Sequence, residues 1–157
     1  MNMIQRIQTV YLLIIVILSS LTLFLPMVSF MPKYIDLQPL YELKQMNLVG
    51  TGDVYSNLTT WTLFVLTLCI PIVALITIFL YKKRTLQISL TVANMILMVG
   101  YYVLLAIAIW SISDRLNADW HLHFTVIFPL INIILAYLAL RGIAKDEALV
   151  RSLDRLR

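Results

Sequence analysis

Four stretches of this chain, residues 7–32, 54–81, 85–113 and 120–140, contain no Asp, Glu, Lys or Arg. Each can supply the roughly 20 apolar residues that cross a bilayer as a helix, and together they predict spans over about 6–30, 58–81, 86–112 and 121–141. Pro26 and the Met31-Pro32 pair cannot continue a regular helix and close the first span. Residues 32–56 form the one sizeable loop. Pro39, Gly50 and Gly52 punctuate its apolar positions, and the pattern predicts short strands around a turn at 50–53. Residues 82–84 allow only a tight turn, so the second and third spans form an antiparallel hairpin, and residues 113–119 read as a polar turn into the fourth. The fold class expected is an all-α membrane protein: a four-helix, antiparallel up-down bundle in a single domain, with a C-terminal amphipathic helix over 142–157.

Charge then orients the bundle. Nine of the twelve Lys and Arg residues (Arg6, Lys82, Lys83, Arg84, Arg141, Lys145, Arg151, Arg155, Arg157) fall on the side of the two termini; Lys33, Lys44 and Arg115 fall on the other. The positive-inside rule places both ends in the cytoplasm and residues 32–56 outside. Trp61, Trp110 and Trp120 all map to outer span ends and Tyr81 to an inner one, as interfacial aromatics do. A hydrophobic fraction of 61%, a charged fraction of 13% and a mean hydropathy of +0.91 are those of a membrane chain. The excess of +4 lies beside membrane ends, where it meets anionic headgroups, and no stacking aromatics accompany it as nucleic-acid binding would require. Cys69 is the only cysteine, which excludes an intramolecular disulfide, a CxxC pair and a thiolate cluster. The apolar run after Arg6 is too long for a signal-peptide core and has no small-x-small site after it, so it reads as a retained signal anchor.

No span carries an ionisable residue in its core, which argues against a proton relay, a carrier of charged substrates or a carboxylate ion site. Asn94 and Asn132 are the intramembrane polar candidates. Counted from Leu86 and Arg141, both lie about 12–14 Å from the inner edge, so neighbouring helices would set the amides face to face. Such a bond contributes about 0.6 kcal/mol and at most about 2; structural glue and a substrate contact are both open to it. Pro71 and Pro129 should bend the second and fourth spans, with Thr67 and Thr125 one turn earlier able to bond freed carbonyls. Asp119, His121 and His123 have i,i+2 spacing, which shares a face on a strand and not on the helix expected here, so no metal is assigned. Asn57-Leu58-Thr59 matches a glycosylation sequon by pattern alone. No catalytic set and no cofactor motif is present, so an enzyme is not expected.

The C-terminal segment is the other informative element. Leu149, Val150, Leu153 and Leu156 share one helical face, while Glu147 with Arg151 and Asp154 with Arg157 have favourable helical spacings. The segment suits a membrane-surface helix or a docking helix for a protein partner, and its interleaved acids favour a protein groove. The docking candidates are Leu149, Val150, Arg151, Leu153, Asp154, Leu156 and Arg157.

The opening Met3-Ile-Gln-Arg-Ile-Gln-Thr-Val-Tyr-Leu-Leu13, the turn Tyr81-Lys-Lys-Arg-Thr-Leu-Gln87 and the block Lys145-Asp-Glu-Ala-Leu-Val-Arg-Ser-Leu-Asp-Arg-Leu-Arg157 resemble a small four-span family of Bacteroidota, a domain of unknown function. The resemblance covers essentially the whole chain and implies a multi-pass protein of the bacterial inner membrane without catalytic residues or cofactor. Two functions are then expected: a non-enzymatic accessory or assembly subunit of a larger membrane complex, contacting lipid and a protein partner, or, as the alternative, a small transporter or channel for a neutral or lipidic molecule.

Overall fold

A computed structural model describes residues 3–33, 41–44, 48–49, 54–55, 58–81 and 83–154. The chain forms α1 (Met3–Phe24), β1 (Val28–Pro32), β2 (Tyr41–Leu43), β3 (Leu48–Val49), β4 (Val54–Tyr55), α2 (Leu58–Phe79), α3 (Arg84–Leu116), β5 (Ala118–Leu122), a single 3-10 turn (Phe124–Ile127) and α4 (Phe128–Asp154). All four expected spans are present as helices long and apolar enough to cross a membrane. Pro26 stops α1: the amide of Leu25 still bonds Leu21, and the next residue has no N–H to give. Between α2 and α3 the chain reverses through Leu80–Lys83, with Lys83 N–H on the Leu80 carbonyl.

The bundle is four-sided: α1 packs on α2 and α4, and α3 packs on α2 and α4. Its surface is that of a bilayer protein, with only 28% to 33% of each apolar window buried and many large apolar side chains exposed. Inside, Leu12, Ile15, Leu63, Met98, Tyr101 and Leu105 pack around Ala136 and Ala139, whose small side chains let α4 approach closely. Hydroxyls are tolerated among them because they bond within their own helices: Ser19 to Ile15, Thr22 to Leu18, Thr67 to Leu63, Thr77 to Val73 and Thr91 to Gln87.

The strands build one sheet in the order β4-β3-β2-β1-β5, with antiparallel neighbours, over the end of the bundle opposite the termini. Register divides its central strands. Val28 and Phe30 share a face with Leu43 and Tyr41 of β2 and with Leu122 and Trp120 of β5. Val28, Phe30 and Leu43 are completely buried on this face, as is Met27 just before β1. The Tyr101 hydroxyl meets the Met27 sulfur, so the sheet plugs the bundle directly.

Three expectations need correction. The expected outer turn and fourth span were misplaced. α3 continues to Leu116, Ala118–Leu122 pairs with β1 as a strand, and the last helix starts only at Phe128. Pro129 therefore sits in the first turn of α4, where a missing N–H costs nothing and no bend follows. Nor is 142–157 a separate helix: α4 runs through Gly142 without a break to Asp154. Strands β3 and β4 flank the expected turn at 50–53, which lies outside the described residues, as does Asn57.

Phe30→Ala should cost about 3–5 kcal/mol by leaving a cavity between sheet and bundle. Trp120→Ala, on the same sheet face but half-exposed at the edge, should cost far less. Thermal unfolding of the two variants in detergent checks the difference.

Candidate functional site

The end of the bundle that carries the termini is tied by side chains from three helices. Gln8 of α1 donates to the Asp146 carboxylate at 3.2 Å in a buried contact. Arg84, the first residue of α3, donates to the Asp146 backbone carbonyl at 3.0 Å, and Thr85 donates to Glu147 at 3.2 Å. Gly142 permits this approach, because a Cβ there would stand 3.0 Å from the Gln8 side chain. Asp146 is thus a nearly buried carboxylate that holds α1, α3 and α4 together, and its neighbour Ile143 is buried with it. Neither Gln8 nor Asp146 was singled out from the sequence. Their signal was a polar residue on the buried stripe of each helix, but Gln8 lay at the start of the first span and Asp146 in the segment read as a separate C-terminal helix.

Beyond this clamp α4 continues for two more turns. Leu149 and Val150 are 52% and 42% exposed, side by side. Ser152 bonds back to the Leu149 carbonyl and keeps the turn regular. Arg151, Leu153 and Asp154 lie on the helical backbone but their side chains are outside the described set, and Leu156 and Arg157 fall outside it altogether. The expected Glu147–Arg151 and Asp154–Arg157 pairs therefore lie there too. Glu147 accepts from the Thr85 hydroxyl.

Asn94 and Asn132 are both buried, at 2% and 1% exposure, but they do not form the expected amide pair: neither Oδ1 accepts a hydrogen bond among the described residues. The reason is register. Counting depth from Leu86 and Arg141 assumed that these residues mark one level, whereas Thr85 meets Glu147, and Tyr102 at the other end reaches the Val126 carbonyl. At 1.5 Å per residue these two contacts offset the asparagines by about 3–9 Å along the helix axes. Asn94 then stands nearer the level of Ala136, and Asn132 nearer that of Met98.

The Asp119, His121, His123 series lies on and just after β5, not on a helix, so its i,i+2 spacing does share a face. Each flanking member is already engaged: Asp119 with Lys33 at 3.0 Å, His123 with the Ser29 hydroxyl. Among the described residues, no group of three His, Cys, Asp or Glu could hold a metal ion.

Because each amide oxygen is buried without a partner, Asn94→Leu and Asn132→Leu should each be neutral or stabilising, by up to about 1–3 kcal/mol, and the double variant should be additive. Chemical or thermal unfolding in detergent tests this. A loss on either single change would mean that the amide has a partner.

No curated protein and no solved structure matches this chain. A family described as Domain of unknown function (DUF4293) matches residues 4–156, spanning the helices, the sheet and the Asp146 clamp, and the protein belongs to that family.

Proposed function

We propose that the protein is a non-enzymatic accessory or assembly subunit of a complex in the bacterial inner membrane, with both termini cytoplasmic, docking a protein partner through the C-terminal end of α4. The observation that carries this reading is the hydrogen-bonded clamp at the base of the last two turns of α4. Gln8, Arg84 and Thr85 hold Asp146 and Glu147, and the exposed Leu149–Val150 pair follows within one turn. A helix adsorbed on lipid would have to turn into the membrane plane after the span. α4 instead continues as one helix through Gly142, with that glycine packed on Gln8. A helix fixed at its base with an exposed apolar pair beyond it suits a groove in another protein.

The alternative, a small transporter or channel for a neutral or lipidic molecule, draws support from the two unpartnered amide oxygens on Asn94 and Asn132. Against it stand the plug of Met27, Val28, Phe30 and Leu43 at one end and the Gln8–Asp146 contact at the other. The accessory reading needs no opening of either.

The orientation is tested by single cysteines at Lys44, Lys83 and Ser152 in a Cys69→Ala background. A membrane-impermeant maleimide on intact cells should label Lys44→Cys alone; labelling at Lys83→Cys would reverse the topology. Docking is tested by Leu149→Asp with Val150→Asp. Both positions are exposed, so the melting temperature should hold while stoichiometric partners are lost on purification in mild detergent. A wild-type protein that purifies as a solitary oligomer, or a variant that keeps its partners, would reject the subunit reading.

A further inference from the structure

We propose that the protein forms a two-fold homodimer in which the outer edge of β5 pairs antiparallel with β5 of a second copy, joining the two sheets into one. This inference is independent of the docking reading. The sheet has two edges. β4 offers two residues, Val54–Tyr55, whereas β5 offers five, Ala118–Leu122. β5 also lacks the usual devices that blunt an edge: it has no Pro, Gly or Lys, and its register with β1 is unbroken. Asp119, Trp120, His121 and Leu122 are all exposed, so both faces of the strand are open. The end of α3 touches the strand at its start, where the Ser113 hydroxyl holds the Ala118 carbonyl. Beyond that point an open cleft of about 400 Å³, with Lys33, Trp110, Asp114 and Trp120 in its walls, keeps the helix off the edge.

The ladder decides which backbone groups face outward. In an antiparallel pair, bonded and non-bonded positions alternate. The Lys33 N–H bonds the Asn117 carbonyl and the His123 N–H bonds the Met27 carbonyl, just beyond the two ends of the β1–β5 register. The odd positions of β5 thus bond β1, and Ala118, Trp120 and Leu122 turn their N–H and C=O groups to the open edge. A second copy of the strand, laid antiparallel about Trp120, matches them. Trp120 exchanges two bonds with Trp120 of the second copy. Leu122 does the same with Ala118, whose carbonyl keeps a lone pair beside the Ser113 hydroxyl.

The side chains select this occupant and this register. The strand reads Ala-Asp-Trp-His-Leu, so the two-fold sets Asp119 opposite His121 of the second copy, twice. These are non-bonded positions, where opposing side chains come closest, and an acid facing a ring N–H is favourable there. Asp119 meets Lys33 through Oδ1, which leaves Oδ2 to accept, and His121 has no partner among the described residues. Sliding the second copy by two residues would put Asp119 on Asp119 or His121 on His121. The axis suits a bilayer as well. It is perpendicular to the sheet, which lies across the bundle end with Val28, Phe30 and Leu43 buried against it, so both copies cross the membrane in the same direction. Trp120 and Leu122 share that bundle face yet are 50% and 52% exposed. β5 therefore lies at the rim of the bundle, where the same residues of a second copy can meet them.

The test is cross-linking of the full chain in membranes, in a Cys69→Ala background. Opposed Cα atoms at a non-bonded position stand about 4.5 Å apart, within disulfide reach, whereas Asp119 and its own equivalent stand about 8 Å apart, beyond it. Asp119→Cys and His121→Cys, coexpressed under different tags, should form a mixed disulfide dimer on mild oxidation, and neither should cross-link alone. Native mass spectrometry in mild detergent should show the wild type as a dimer. His121→Asp, which sets acid against acid twice, and Trp120→Pro, whose lost N–H points away from β1, should each weaken the dimer by about tenfold at unchanged helical content. Asp119→His with His121→Asp, which exchanges the two and keeps them opposed, should restore it. A monomeric wild type, an Asp119→Cys variant that cross-links alone as well as in the mixture, or a His121→Asp dimer as stable as the wild type would overturn the proposal.

Discussion

The pairing of β1 with β5 joins two segments about ninety residues apart, from Val28 opposite Leu122 to Pro32 opposite Ala118, and much of the sheet end depends on it. Backbone bonds extend it in both directions, from His123 to Met27 and from Lys33 to Asn117. By drawing Ala118–Leu122 out of any helix it sets where α3 ends and α4 begins. By holding β1 across the mouth of the bundle it seats Met27, Val28 and Phe30 against Tyr101 and closes the interior. The same ladder places Lys33 beside Asp119 and opens the cleft at the end of α3. Backbone donors outside a helix must find partners near a membrane, and an ordered sheet meets that demand where an irregular loop would not.

The opposite end is held by different chemistry. Here a buried carboxylate, Asp146, receives an amide from α1 while its carbonyl receives a guanidinium from α3. A carboxylate this enclosed is costly unless hydrogen-bonded, so its contacts act as a strong constraint on helix register. That register fixes the level at which α4 meets α1 and α3. The two ends thus leave different surfaces open: an exposed Leu149–Val150 pair beside the termini, and a charged cleft lined by two tryptophans at the sheet.

Between the ends, a few buried polar side chains sit within the apolar core, and large apolar side chains also cover the outer surface. Hydroxyls that bond a carbonyl one turn back lose little by burial, and alanines on α4 let helices pack closely. Asn94 and Asn132 are the exceptions, because an amide cannot satisfy its oxygen within its own helix in this way. They mark where the interior is least settled energetically.

The sequence by itself determined the number of apolar spans and their approximate limits, because crossing a bilayer requires local runs of uncharged residues that single positions cannot disguise. The short strands of 32–56 were legible from turn residues as well. Strand β5 was legible in principle: Ala118, Trp120 and Leu122 alternate with Asp119, His121 and His123 at a period of two. That alternation was masked by its position inside an uncharged run. The exposed pair Leu149 and Val150 followed from helical spacing, while the clamp beneath them did not. Tertiary structure alone decided the partner of β5, the level at which α3 meets α4, the burial of Gln8 with Asp146 and the meeting of Lys33, Asp114 and the two tryptophans. These depend on contacts between residues tens of positions apart, whose register is set by packing and hydrogen bonding across the whole bundle, and no periodicity within one segment encodes them.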